Sequence, residues 1–231
     1  MFFLRTIMVR QDKIAHLITG FRSTGLEPIF PSEPLIDLFV RIILSKGEKD
    51  ELRDNAFNKL KNQFIDWENI LSSNKSKLKK LIKISGLSDE KTNCIIEFLK
   101  WVKANFQDFD LRPILLWENN KIFSELTSIH GIDIKTISTF ICFGLKGNSF
   151  PVDVHVHRIL TRIGISLNFK SPEKVFKIVN PFIPVGKEFF LYAHIVNHGK
   201  VVCKSLNPKC NVCMFNQHCD FFQKKNEWSE N

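Results

Sequence analysis

Four cysteines, Cys203, Cys210, Cys213 and Cys219, stand close together near the C-terminus in the pattern C-x6-C-x2-C-x5-C. Ligands this near in sequence wrap one loop around one centre, and four thiolates suit either zinc or an iron–sulfur cluster. Structural zinc is commonly held by two close cysteine pairs separated by a longer span, whereas here only Cys210 and Cys213 make such a pair. The uneven single loop favours a [4Fe–4S] cluster over zinc. Two disulfides are the weaker alternative, because no secretory signal is visible and Cys94 and Cys142 lie in apolar stretches, as reduced core thiols do.

A second stretch with chemical content runs from Leu126 to Ser138. Two short helices are expected to flank Ile129-His130-Gly131-Ile132-Asp133, an arrangement that resembles a helix-hairpin-helix element. In such a turn the backbone N–H groups and the N-terminus of the following helix face a phosphate. Gly131 permits the left-handed conformation and a close approach to DNA. Hairpins of this kind usually carry a second glycine where this chain has Asp133. Aspartate tolerates the left-handed region and is a good N-cap for the helix holding Lys135, but it sets a negative charge beside the phosphate. Taken alone, the stretch also reads as an ordinary αα-turn.

The elements that must position these residues read as helices. Leu35, Leu38, Phe39, Ile42 and Ile43 form an i, i+3, i+4, i+7, i+8 stripe. Further helices are expected over Glu51–Leu60, Lys77–Ile84, Lys91–Val102, Arg112–Trp117, Lys121–Ile129, Lys135–Leu145, Asp153–Ile163 and Phe189–Asn197. Ser171-Pro172 opens another, with an N-cap followed by proline at the first position. No alternating strand pattern persists, and no repeat is visible. The class is all-α. At 231 residues and 44% hydrophobic, the chain has ample material for a core. The apolar start Met1–Leu4 ends at Arg5, too short for a signal peptide, and no run of about 18 apolar residues exists. An intracellular protein with no membrane association is expected, in the cytoplasm or nucleoid if the source is prokaryotic. The net charge of +9 suits a polyanionic partner, although a chain rich in Lys, Asn, Ile and Phe also arises from AT-rich coding.

Lys135 is followed at a distance by Pro151-Val152-Asp153-Val154-His155-Val156-His157-Arg158, then by His198-Gly199-Lys200 and the cysteine loop. This ordered combination, together with Gly86-Leu87-Ser88-Asp89-Glu90-Lys91, resembles the endonuclease III family of DNA base-excision glycosylases from about Leu35 to Cys219. The resemblance implies a two-lobed helix-hairpin-helix glycosylase fold with a C-terminal iron–sulfur cluster loop. One lobe spans about 30–147, with the hairpin at 129–134. The other combines 1–29 with 148–231 and carries the cluster loop, 203–219, and DNA lies between them. It further implies that Lys135 is the catalytic lysine, Asp153 the catalytic aspartate, and Cys203, Cys210, Cys213 and Cys219 the [4Fe–4S] ligands. Leu87 falls at the wedge pushed into the duplex. His130, Gly131, Ile132 and Asp133, with Lys204 and Lys209, meet the backbone. His155 and His157 read as structural or phosphate-contacting.

The implied activity is that of a bifunctional glycosylase and abasic-site lyase. A monomer acts on damaged double-stranded DNA, flips out a damaged base such as an oxidised pyrimidine, and cleaves the strand by β-elimination. Two departures besides Asp133 bear on lesion choice: Gly47 where a gap-filling glutamine is general, and Val154 where threonine is usual. The alternatives are a monofunctional mismatch glycosylase of the same fold, which Lys135 argues against, and a non-catalytic DNA-binding or redox-sensing relative.

Overall fold

The computed structural model describes residues 2–166, 169 and 171–229. Met1, Leu167, Asn168, Lys170, Glu230 and Asn231, which fall in the expected second lobe, lie outside the described residues. In chain order the helices are α1 (Phe2–Arg22), α2 (Leu35–Leu44), α3 (Asp50–Gln63), α4 (Trp67–Leu71), α5 (Lys75–Ile82) and α6 (Ser88–Asn105). There follow α7 (Asn119–Thr127), α8 (Ile134–Phe143), α9 (Val154–Ile163), α10 (Pro172–Val179), α11 (Glu188–Val201) and α12 (Asp220–Ser229). Short 3₁₀ turns join several of them, and no strand occurs among the described residues. The chain is all-α, as its apolar periodicity requires.

The chain divides into two compact units, Pro31–Leu145 and Met1–Phe30 with Lys146–Asn231. The first is built around α2, where every residue from Ile36 to Leu44 except Arg41 is buried. A helix apolar on nearly all sides has to sit inside a bundle. Phe39 of α2 stacks on Phe98 of α6 with ring centroids 4.0 Å apart and meets Phe140 of α8 edge-on at 4.9 Å. Asp37, the buried charge on α2, accepts hydrogen bonds from Trp67 Nε1 at 3.1 Å and Lys61 Nζ at 3.2 Å. Those bonds remove most of the cost of placing a carboxylate inside the bundle.

In the second unit, Ile14, Leu17 and Phe21 of α1 pack with Val156, Ile159 and Leu160 of α9 and Leu191 and Ile195 of α11. A single ammonium ties three helices here. Lys13 Nζ donates to Asp220 Oδ1 of α12 and to the carbonyl of Ile163 at the end of α9, both at 2.6 Å. Residue 164 has φ +94, and a Cβ there would collide with Asp220 and Lys13, so glycine is required.

Several element boundaries differ from the sequence reading. Helix α6 starts at Ser88 rather than Lys91, because Asp89 and Glu90 suit the positive N-terminal end of a helix. The expected helix at Arg112–Trp117 is a 3₁₀ turn, Arg112–Leu116, with Pro113 in its first turn. Helices α1, α4 and α12 carry no assignment in that reading. Helix α1 was legible, since Ile14, Leu17, Ile18 and Phe21 are buried at helical spacing.

Candidate DNA-lesion site and cysteine loop

Helix α7 ends at Thr127 and α8 begins at Ile134, leaving the hairpin turn between them. Ile129 and Ile132 are buried and pin the turn to the core, while His130 is exposed. Gly131 has φ +88, and a Cβ would lie 3.1 Å from that of Cys94, so both conformation and space demand glycine. Burial pushes the Cys94 thiol up to about 11, as befits an inert core cysteine.

Asp133 is the N-cap of α8, as its type suggested, and does not use the left-handed region that aspartate tolerates. It is extended, with φ −110 and ψ 168. Its Oδ1 accepts from the Thr136 N–H and Oγ1, each at 2.7 Å. Its Oδ2 pairs with Lys46 Nζ at 3.0 Å. Burial pushes the Asp133 carboxyl up, but the Thr136 hydrogen bonds and the Lys46 charge outweigh it and hold the group below the usual carboxylate range. Lys135, on the first turn of α8, points away from the buried Ile137, Phe140 and Ile141. It is exposed, not buried, and its ammonium has no hydrogen bond or ion pair among the described residues.

Leu87 presents its side chain to solvent at 56% exposure from a left-handed backbone, φ 45 and ψ 40. A leucine in that conformation costs roughly 1–2 kcal/mol, and such strain marks functional positions. The turn is fixed from below. Lys91, only 2% exposed, donates to the carbonyls of Leu44 and Ser85, and burial holds its ammonium below the usual lysine range. Gly86, at φ +58, lies against the Glu48 carboxylate, and a Cβ built on Gly47 would be 3.7 Å from Leu87 Cδ1. Leu87 and Gly47 are therefore neighbours.

In the other unit, Asp153 is 9% exposed and caps α9. Its Oδ1 accepts from the N–H groups of His155 at 2.9 Å and Val156 at 2.8 Å, and Oδ2 accepts from Tyr192 Oη at 3.1 Å. The segment before it is held by Asn180, which bonds both N–H and carbonyl of Phe150. Val154 is 69% exposed. His155 and His157 are tied into structure, through Arg158 Nη2 at 3.1 Å and the Phe169 carbonyl at 3.1 Å respectively.

The four loop cysteines are free and line one small cavity with Arg162 and Phe222. Arg162 reaches Cys203 Sγ at 3.3 Å, the Lys204 carbonyl at 2.6 Å and the Ser205 carbonyl at 2.9 Å. Arg158 bonds the carbonyls of Cys203 and Gly199, and His198 Nε2 is 3.4 Å from Cys213 Sγ. Burial pushes the Cys213 and Cys219 thiols up, so thiolates here need positive charge beside them. No three His, Cys, Asp or Glu side chains among the described residues gather as they would around a single metal ion. Four thiols lining one cavity are a donor set that suits a metal centre. Lys204 and Lys209 stand exposed on this loop.

Five residues that matter here were given no role of their own in the sequence reading: Lys46, Lys91, Arg158, Arg162 and Tyr192. Arg158 and Arg162 had a signal, being one turn apart on the helix that Asp153 caps. Tyr192 had only its rarity, as the single tyrosine of the chain.

Known proteins share this layout. An Arabidopsis thaliana protein with a provisional DNA glycosylase name is 28% identical over 184 residues, 78% of this chain but only 63% of its own length. Endonuclease III of Thermotoga maritima is 24% identical over 81% of this chain and 84% of its own, and that of Rickettsia felis 29% over 80% and 82%. A trapped endonuclease III–DNA covalent intermediate superposes with a TM-score of 0.80 at 17% identity, covering 94% of this chain and 98% of that one. A thermostable thymine-DNA glycosylase gives 0.74 at 19%, covering 95% and 99%. Residues 40–184, which include the hairpin, Lys135 and Asp153, match the HhH-GPD superfamily base excision DNA repair family. The chain belongs to that family, with the fold of endonuclease III.

Proposed function

We propose that this DNA glycosylase is bifunctional, excising a damaged base and then cleaving the strand at the resulting abasic site, with oxidised pyrimidines as the first substrate class to test. The observation that carries the reading is Lys135: an exposed ammonium, unpaired among the described residues, on the first turn after the hairpin. A base inside a stacked duplex cannot be attacked in place, and extruding it costs a few kcal/mol. Leu87, strained and exposed, is suited to occupy the vacated stack. Lys135 in its neutral form attacks C1′ as the glycosidic bond breaks, and the Schiff base that follows permits β-elimination of the 3′ phosphate. Asp153 stabilises the developing positive charge on the sugar. Its Oδ1 is occupied by two backbone N–H groups, and the Tyr192 hydroxyl orients Oδ2.

Cys203, Cys210, Cys213 and Cys219 would hold a [4Fe–4S] cluster, which supplies a structural centre for the loop rather than chemistry on the sugar. Lys204 and Lys209 on that loop contact phosphates, and the hairpin turn of His130, Gly131, Ile132 and Asp133 meets the DNA backbone with its main chain. The lobes so assigned are the hairpin unit and the cluster unit. The test is borohydride reduction in the presence of duplexes carrying an abasic site or an oxidised pyrimidine. The wild-type protein should be trapped covalently, and Lys135→Gln should abolish the adduct while leaving binding largely intact. Base release without a trapped adduct on any substrate would replace this reading with a monofunctional glycosylase.

A further inference from the structure

The loop between α2 and α3 reaches the hairpin through one side chain. Lys46 Nζ lies 2.7 Å from the Gly131 carbonyl and 3.0 Å from Asp133 Oδ2, across 85 residues of chain. The Asp133 carboxylate has no oxygen left over, because Thr136 holds Oδ1 by two bonds. Yet its side chain is 55% exposed, on the turn that the proposed function presents to the DNA backbone. A carboxylate there repels phosphate unless something cancels it. Isolated surface ion pairs add little to stability, so a purely stabilising role gives no reason for this one. The segment around Lys46 is held on either side: the Leu44 carbonyl, two residues before it, is bound by the buried Lys91, and Gly47, the next residue, lies close to Leu87.

We propose that Lys46 is the positioning residue that makes this hairpin competent for the DNA backbone. Its ammonium neutralises the Asp133 carboxylate, which stands where such hairpins usually carry glycine, and clamps the Gly47 loop beside Leu87 to the hairpin. The inference rests on the hairpin being the phosphate-binding element, as proposed above. Lys46 acts through Asp133 and does not itself bind phosphate.

The experiment is a double-mutant cycle on binding to a duplex with a tetrahydrofuran abasic analogue, read by fluorescence anisotropy across a range of salt. The proteins are wild type, Lys46→Met, Asp133→Asn and the double variant. Asparagine keeps the cap on α8 and removes only the charge. Lys46→Met should weaken binding about threefold to tenfold at low salt, since it bares one carboxylate to the backbone. In the Asp133→Asn background the same change should cost less than about twofold. An equal loss in both backgrounds, with the slope of log affinity against log salt lowered by about one, would overturn the proposal by making Lys46 a direct phosphate contact. No loss in either background would also overturn it, leaving a solvated pair. If the wild type itself failed to bind the duplex, the hairpin assignment would fall first, whatever Lys46 does.

Discussion

Single side chains in this protein hold strain and burial that stability alone does not explain. Asp153 is both a helix cap and the proposed stabiliser of cationic sugar, and the two roles separate by substitution. Asp153→Asn keeps a capping oxygen, so the melting temperature should scarcely move. Base release in single-turnover assays should slow by about 10²–10³-fold, the usual loss for one preorganised electrostatic group. Cleavage of a preformed abasic site should suffer less, because the base has already gone. Leu87 poses the opposite trade. Leu87→Gly relieves a left-handed leucine and should raise stability by about 1 kcal/mol in denaturant titration, while base excision falls because the wedge is lost. An unchanged excision rate would make Leu87 a surface leucine with no part in flipping.

At the scale of elements, α9 does two jobs. Its N-terminus is capped by Asp153, and two arginines one turn apart bind the carbonyls that shape the cysteine loop. The loop's order should therefore depend on both its centre and α9. Cys213→Ser should lower bound iron from about four per chain and weaken DNA binding, measured by iron assay and anisotropy together. Stoichiometric zinc with no iron, in protein prepared anaerobically, would sink the cluster assignment. With the loop ordered, Lys204→Ala and Lys209→Ala should each weaken binding uniformly across sequences. Each should lower the salt slope by about one unit. An unchanged slope would mean that these lysines meet only water.

For the molecule as a whole, stability should depend on pH through groups placed for reasons of packing. Glu188, 6% exposed at the start of α11, has its carboxyl raised above the ordinary 4.5 by burial, against the pull of the nearby backbone N–H groups. A raised carboxyl pKa means that the folded state binds the proton more tightly. Its contribution is full below pH 4.5 and is lost as pH rises through the folded value, so the charged form costs stability at neutral pH. Glu188→Gln should raise the melting temperature at pH 7 and leave it nearly unchanged at pH 4. A gain of equal size at both would point to packing instead.

The sequence was informative where chemistry is local. Helices α2, α8 and α9 follow from apolar spacing and caps, and Asp133 and Ser171 cap the helices they precede, because a cap needs only the next three residues. Gly131 was legible for the same reason. What no local pattern could supply were the partners brought from afar. Lys46 meets a hairpin 85 residues away, Tyr192 reaches Asp153 across 39, and Arg162 reaches the Lys204 carbonyl across 42. Lysines, arginines and a tyrosine look like solvated surface residues until the fold supplies their acceptors. The exposure of Lys135 was likewise decided by tertiary packing. The burial of Ile137, Phe140 and Ile141 turns it outward.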